Sequence, residues 1–310
     1  MTSAHDGPMP VTARVPAKVN LELRVGPLKS DGFHDLSTVF QAVSLHDDVT
    51  VEADDDWSCE VTGPLAAGVP ADSSNLAVRA AQLLAADYPE VDPVAITIHK
   101  GIPVAGGMAG GSADAAGALV ACDRLWGLGC SKDELEEYAA QLGSDIPFLV
   151  AGGTAMGSGR GDQLAPVLAR CTFHWVFALS AQGLSTPAVY AECDRLRAGT
   201  VVADPRPNPD LMAALRSGNA HALAPQLAND LQRAAFSLRP ELSDVLDSGL
   251  EYGALAGVVS GSGPTIAFLV SDNESGIDLA VALTASGVVA DVRRAHGPVH
   301  GAHVIPTLID

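Results

Sequence analysis

The spacing of hydrophobic and polar positions changes along the chain, and each change marks an element. Val94-Ala-Ile-Thr-Ile-His99 alternates and is rich in β-branched residues, which predicts a strand. Val11–Val25 alternates or runs apolar, and Pro16 interrupts it, so two strands or one broken strand are expected. Val39–Val51 reads as strand, and Asp54-Asp55-Asp56 as a solvated turn. Asn75–Tyr88 and Ala113–Trp126 are rich in alanine and leucine and read as helices. Ser131-Lys-Asp-Glu134 has the form of a capping box. The helix it opens carries Leu135, Tyr138, Ala139 and Leu142 and is closed by Gly143. Ile146–Gly153 and Thr154–Gly161 are short, apolar and glycine-rich, and Phe173–Ser180 is a buried-type strand. Gly199–Pro209 is a loop, and residues 209–250 hold several helices. The last of these follows Pro240 and shows Leu242, Val245, Leu246 and Leu250 on one face. Leu255–Val259, Thr265–Val270 and Val288–Arg293 read as strands, with a helix over Glu274–Ala285. Residues 1–10 look like a loose leader. The mixture predicts an α+β chain in two domains, 1–168 and 169–310, divided at the composition shift near Leu164–Thr172.

The 310 residues are 47% hydrophobic, enough for a full core. The net charge of −19 argues against nucleic acid or an anionic membrane as a partner, since both need a positive face. It leaves room for a small phosphorylated substrate, provided cations are concentrated locally. Lysine is rare, with four at positions 18, 29, 100 and 132. Five scattered cysteines without a C-x-x-C suggest a reduced, cytoplasmic chain with no disulfide frame or zinc site. The N-terminus lacks the basic and apolar regions of a signal peptide. Tyr252–Ser271 is uncharged for twenty residues but holds four glycines and a proline, so it reads as strand, turn and strand rather than a membrane span.

The densest chemical signal is Pro103–Asp114, PVAGGMAGGSAD, with glycines at 106, 107, 110 and 111. It lies between a predicted strand and a predicted helix, with Lys100 just before it. Glycines let backbone N–H groups approach a ligand, and a helix start leaves N–H groups unpaired. Together these can cradle phosphate oxygens. No Gly-Lys pair occurs in the chain, and the G-x-G-x-x-G spacing is absent, so P-loop and dinucleotide-binding readings are disfavoured.

Other groups are weaker taken singly. Lys18 and Asn20 share one face of a strand, as polar residues of any half-exposed strand would. Asp31-Gly-Phe33-His34-Asp35 reads as a loop whose ring and imidazole suit a stacked base, although loop aromatics are common. Asp145, in Gly143-Ser-Asp-Ile-Pro-Phe148, is either a helix cap or a functional carboxylate. Gly261-Ser-Gly-Pro-Thr265 either packs on a bound phosphate or simply turns the chain. His296, His300 and His303 have spacings a metal could use, but they lie in a Gly/Pro tail and are expected to be solvated, with no metal site.

Taken together, the pieces resemble the GHMP kinases from about Thr12 to Ala295. The loop over residues 103–113 is similar to their phosphate loop, and 261–265 to their third motif. Pro16-Ala-Lys-Val-Asn-Leu, Asp31-Gly-Phe-His, Gly143-Ser-Asp-Ile-Pro-Phe and Ser185-Thr-Pro-Ala-Val-Tyr190 are the most specific pieces. The resemblance implies an N-terminal domain like ribosomal protein S5 domain 2 and a ferredoxin-like C-terminal domain. It implies ATP-dependent phosphorylation, with Mg²⁺, of the 2-hydroxyl of a cytidine-diphosphate methylerythritol in the non-mevalonate isoprenoid route. By position, Asp145 and Lys18 would be the catalytic pair. Asn20, His34, Thr186 and Asp145 would touch substrate, and Phe33 and Tyr190 would sandwich the cytosine. Lys100 and the loop Pro103, Val104, Ala105, Gly106, Gly107, Met108, Ala109, Gly110, Gly111, Ser112 and Ala113 would hold ATP. The expected partner is this small molecule alone, in a monomer or weak homodimer.

Two departures from the family pattern involve three positions. Phe33 stands where tyrosine is usual, so stacking survives without a hydroxyl hydrogen bond. Ala113 and Asp114 stand where many members have serine and asparagine, and a carboxylate beside phosphate is awkward, so Asp114 is expected to point away. Two rival readings use fewer of these residues. A GHMP kinase acting on a small alcohol would not need Phe33, His34 and Tyr190. A nucleotide-binding regulator would not need Lys18 and Asp145 together.

Overall fold

The computed structural model describes residues 8–104 and 106–306, so most of the leader lies outside it. The chain opens as one long hairpin of strands β1 (Val11–Leu28) and β2 (His34–Ala53). Pro16 does not split β1. It sits at a register shift between Pro16 and Ala17, where a strand tolerates a residue without an N–H. Strands β3 (Ser58–Thr62), β4 (Val94–His99), β5 (Thr154–Ser158) and β6 (Gln163–Pro166) follow. With them come helices α1 (Leu76–Ala85), α2 (Gly110–Trp126), α3 (Lys132–Leu142) and α4 (Ile146–Ala151). Asn75 caps α1, and the expected capping box of Ser131 and Glu134 opens α3. Helix α2 starts at Gly110, three residues earlier than its alanine run suggests.

The second half contributes β7 (Phe173–Leu179), β8 (Ala228–Asn229), β9 (Ala256–Val259), β10 (Ile266–Val270), β11 (Asp291–Gly297) and β12 (His303–Ile305). Its helices are α5 (Thr186–Arg197), α6 (Pro209–Ser217), α7 (Ala220–Leu223), α8 (Gln232–Leu238), α9 (Glu241–Glu251) and α10 (Asn273–Ser286). Strands β12-β1-β2-β4-β3, with β5, β6 and β8, form an eight-stranded sheet. Strands β11-β7-β10-β9 form an antiparallel second sheet, with the βαββαβ order of a ferredoxin-like unit.

Three expectations change. Strand β11 lies about three residues later than predicted, because it pairs with β7 until Gly297 meets Phe173. On α9, Leu250 is exposed, and Gly249 instead packs flat on Phe268. The backbone of the histidine tail is paired, although His296, His300 and His303 are exposed as expected: His303 lies in β12 against Arg14, and His300 bridges to Gly152.

The apolar run of β7 divides by parity. Phe173, Trp175, Phe177 and Leu179 join the core of the first sheet, while Val176 and Ala178 pack with Leu242 and Val245 of α9 and Leu279 and Leu283 of α10. A strand covered on both faces reads as continuous hydrophobicity, as this one does. One apolar cluster therefore runs through both sheets, pinned by Trp175 Nε1 donating to Gln41 Oε1 at 3.0 Å.

Helix α2 lies flush on the hairpin at Gly117, where a Cβ would come within 2.6 Å of Val49 and 2.8 Å of Val15. Both contacts are core side chains on a sheet that cannot yield far. Gly117→Ala is expected to cost about 1–3 kcal/mol by overpacking, despite the better helix propensity of alanine. A urea midpoint equal to or above wild type would contradict this.

Candidate active site

Strand β1 builds the centre of the site. Its odd positions, Val15, Ala17, Val19 and Leu21, enter the core, and Lys18 and Asn20 project to the opposite face. That face is not solvated: Lys18 is 4% and Asn20 2% exposed. Thr38 Oγ1 donates to the Glu22 carbonyl and accepts from Asn20 Nδ2 at 2.9 Å, which turns Asn20 Oδ1 toward the lysine. Lys18 Nζ donates to that oxygen at 2.7 Å and stands 3.6 Å from Asp145 Oδ2. The Phe40 ring lies 5.5 Å from the ammonium. Asp145 is the residue before α4, yet its side chain makes no capping bond. Of the two roles its sequence position allowed, the cap is therefore absent. The carboxylate, one-third exposed, faces a cavity of about 360 Å³.

The glycine loop forms one wall of that cavity through Gly106, Gly107, Ala109, Gly110, Gly111 and Ser112. Its crest rests on the turn between β9 and β10. A Cβ at Gly107 would come within 2.0 Å of the Ser260 carbonyl, and Ser260 Oγ donates to the Gly107 carbonyl at 3.0 Å. The two glycine-rich segments are thus one surface, with Gly261, Ser262 and Gly263 completing the wall. Ala109, just before α2, takes a left-handed conformation at φ 63°, which costs a residue with a Cβ about 1–2 kcal/mol. Such strain collects where a loop is shaped for a ligand.

Several residues expected to hold ATP do not line the cavity. Met108 and Ala113 are buried in the core, and Pro103 and Val104 lie off the wall, while Ala105 lies outside the described residues. Lys100 does not reach the cavity either. It is 1% exposed and spans two buried carboxylates, with Asp47 Oδ2 at 2.5 Å and both oxygens of Asp114 at 2.9 Å. It also donates to the Gly110 carbonyl at 3.3 Å. Asp47 Oδ1 in turn accepts from the N–H groups of Gly101 and Ile102 at 2.7 and 2.9 Å. One ion cluster therefore ties down both ends of the loop from beneath. Asp114 points away from the cavity, as expected, and into this cluster. Burial pushes its carboxyl up to about 8, against the pull of Lys100 and with a further push from Asp47.

A second cavity, about 470 Å³, adjoins the first and shares Leu36, Ser144, Arg160, Thr186 and Tyr190 with it. Phe33 and His34 belong to its lining. The expected loop over residues 31–35 is shorter, because His34 and Asp35 already open β2. His34 is buried. Its Nδ1 donates to the Gly26 carbonyl at 2.8 Å, its Nε2 lies 3.4 Å from Asp194 Oδ2, and its ring is 5.4 Å from Tyr190. Thr186, Tyr190 and Asp194 lie four residues apart on α5 and so share one face. Thr186 Oγ1 is 2.8 Å from Ser262 Oγ, which joins α5 to the glycine turn. Burial, helped by Asp145, holds the Tyr190 phenol above its ordinary range, so it stays protonated.

Sequence reasoning missed Asp47, Arg160 and Asp194. The period of α5 from Thr186 to Tyr190 could have found Asp194. A charged pair inside the β2 run could have found Asp47, and glycines on both sides could have marked Arg160 as a turn tip.

Family models for the GHMP kinase N-terminal and C-terminal domains match residues 75–153 and 211–289. The 4-diphosphocytidyl-2-C-methyl-D-erythritol kinase of Mycolicibacterium smegmatis is 58% identical over 96% of this chain and 92% of its own. The chain belongs to the GHMP kinases. The enzyme of the same name from Streptomyces coelicolor is 56% identical over 96% of this chain and all of its own. Among solved structures, a 4-(cytidine 5′-diphospho)-2C-methyl-D-erythritol kinase superposes on this GHMP kinase with a TM-score of 0.75 at 30% identity, covering 92% of this chain and 98% of that one. Homoserine kinase from Cytophaga hutchinsonii, at 16% identity and a TM-score of 0.74 over 98% of this chain and 99% of its own, shares the fold.

Asp114 carries a testable consequence. Its folded pKa is raised, so the folded protein binds more protons than the unfolded chain between the ordinary carboxylate range and about 8. The contribution is full below that window and fades as pH rises through it. Asp114→Asn is expected to flatten this decline in unfolding midpoints taken between about pH 5 and about pH 8.5. An unchanged slope would place the proton elsewhere.

Proposed function

We propose that this chain is an ATP-dependent kinase that phosphorylates the 2-hydroxyl of 4-diphosphocytidyl-2-C-methyl-D-erythritol, with Asp145 and Lys18 as its catalytic pair. The observation that carries this reading is the joining of two cavities. One has a Lys18–Asp145 pair facing a glycine wall, and the other is lined by Phe33, His34 and Tyr190. The close relatives of that name support the substrate assignment, and the aromatic lining of the second cavity supports its use by the base.

Phosphoryl transfer asks little covalent chemistry of a protein and much positioning. The exposed part of Asp145 orients the attacking hydroxyl and takes its proton. Lys18, a fixed cation 3.6 Å away, stabilises the charge that develops during transfer. Asn20 and Thr38 hold Lys18 in place, so the ammonium is in position before substrate arrives. The N–H groups at the start of α2 and the loop glycines receive the phosphates of ATP. Phe33 and Tyr190 flank the cytosine, and the buried imidazole of His34 reads its edge.

No group of three or more His, Cys, Asp or Glu side chains among the described residues could hold a metal. Magnesium would then enter on the phosphates of ATP. Residues of one chain line both cavities, which supports action as a monomer or weak homodimer. The five cysteines are free, and no helix among the described residues is long and apolar enough to cross a membrane, which together support a cytoplasmic enzyme. We place the division between its two domains between β6 and β7.

The test is ADP release from Mg-ATP with the cytidyl substrate, beside homoserine, mevalonate and no acceptor. Turnover that requires the cytidyl substrate supports the proposal, and turnover only with another alcohol overturns the substrate. Asp145→Asn is expected to lower kcat by roughly 10²–10⁴-fold, and near-normal turnover by a folded variant would remove the base role. Tyr190→Ala is expected to raise KM for the cytidyl substrate far more than KM for ATP. Equal effects would take Tyr190 out of the cytosine site.

A further inference from the structure

Arg160 stands at the tip of the turn between β5 and β6, flanked by Gly159 and Gly161, both at positive φ. Its own N–H donates to Asp162 Oδ1 at 3.2 Å, which fixes the turn. Its guanidinium lies over the Phe33 ring, 3.9 Å from the centroid. Among the described residues this guanidinium has no carboxylate or carbonyl partner. Eight of the fourteen arginines make no ion pair among the described residues, so its freedom alone is not distinctive. Arg14, Arg24, Arg195, Arg197, Arg239 and Arg293 each hold a carboxylate.

The position of this free cation is specific, for Arg160 lines both cavities. The other cation on the lining, Lys18, is already engaged by Asn20 and Asp145. We infer that Arg160 binds the diphosphate that joins the two halves of the acceptor substrate. This rests on the substrate reading above. A base held in the aromatic cavity and an alcohol held at Asp145 must be connected across the junction between them, and the connecting group is the anionic part of the molecule. A planar guanidinium offers paired donors that match phosphate oxygens, which a lysine at this place could not do as well. The Phe33 ring is a weak resting place for an exposed cation, so it holds the group near the junction without competing with a phosphate.

The experiment compares R160A and R160M with wild type, titrating the cytidyl substrate and ATP separately in the ADP-release assay. R160M keeps a long apolar stem over Phe33 and removes only the charge and donors. Both variants are expected to raise KM for the cytidyl substrate about 10- to 100-fold, the loss of charge-assisted hydrogen bonds. KM for ATP and kcat should stay within about twofold, since Arg160 is assigned no part in transfer. The inference is overturned if R160M binds the cytidyl substrate as wild type does, or if KM for ATP rises by the same factor. Should wild type itself fail to turn over the cytidyl substrate, the substrate reading falls first, and that outcome is distinct from either of these.

Discussion

An ammonium group removed from water must be met by carboxylates or dipoles, and the site is arranged around two such groups. Lys18 and Lys100 are both nearly inaccessible. Lys18 is met by one amide oxygen and by a carboxylate that stays partly open to the cavity. Lys100 is met by two carboxylates that are themselves sealed. The difference in partners separates their roles. A cation whose counter-charge remains accessible can respond to a substrate. A cation enclosed between two carboxylates holds backbone in place, and here the backbone is the two ends of the glycine loop.

Much of this was legible in the chain. Strand β4 and the capping box of α3 were bounded correctly by pattern alone, and the apolar run of β7 to within one residue, because each has a local physical cause. Lys18, Asn20, Asp145, Thr186 and Tyr190 do line one cavity, and Phe33 and His34 line the one beside it. What local pattern could not convey was depth. Lys100 sits beside the glycine loop in sequence, which suggests contact with its ligand. Its burial depends on Asp47, some fifty residues away on another strand. Asp114 likewise looked awkward only while its partner was unknown. The pairing of the exposed histidine tail was hidden for the same reason, since its partners, Gly152 and Arg14, belong to distant elements.

The continuity of the core bears on how the cleft can move. Phe173, Trp175 and Phe177 belong to the same apolar cluster as Val15, Val19 and Val49, so the two sheets are not free bodies on a hinge. Separating them would expose large aromatic side chains. The opening of the aromatic cavity is lined by two hydrogen-bonded turns: the one before β2 that carries Phe33, and the one that carries Arg160. These two turns face each other across the opening of the aromatic cavity.

Strand β12 has a consequence for the order in which the protein assembles. Thr12 pairs with Ile305, so the edge of β1 is covered by nearly the last described residues of the chain. During synthesis the β1–β2 hairpin emerges before β12 and waits with that edge unpaired until the residues between them have been made. An unpaired strand edge is a template for another chain. The polar side chains that β1 carries toward this end, Thr12 and Arg14, with Arg14 held to Asp48 across the hairpin, put a charge on the waiting edge. Biogenesis, rather than the finished fold, is where this edge is vulnerable.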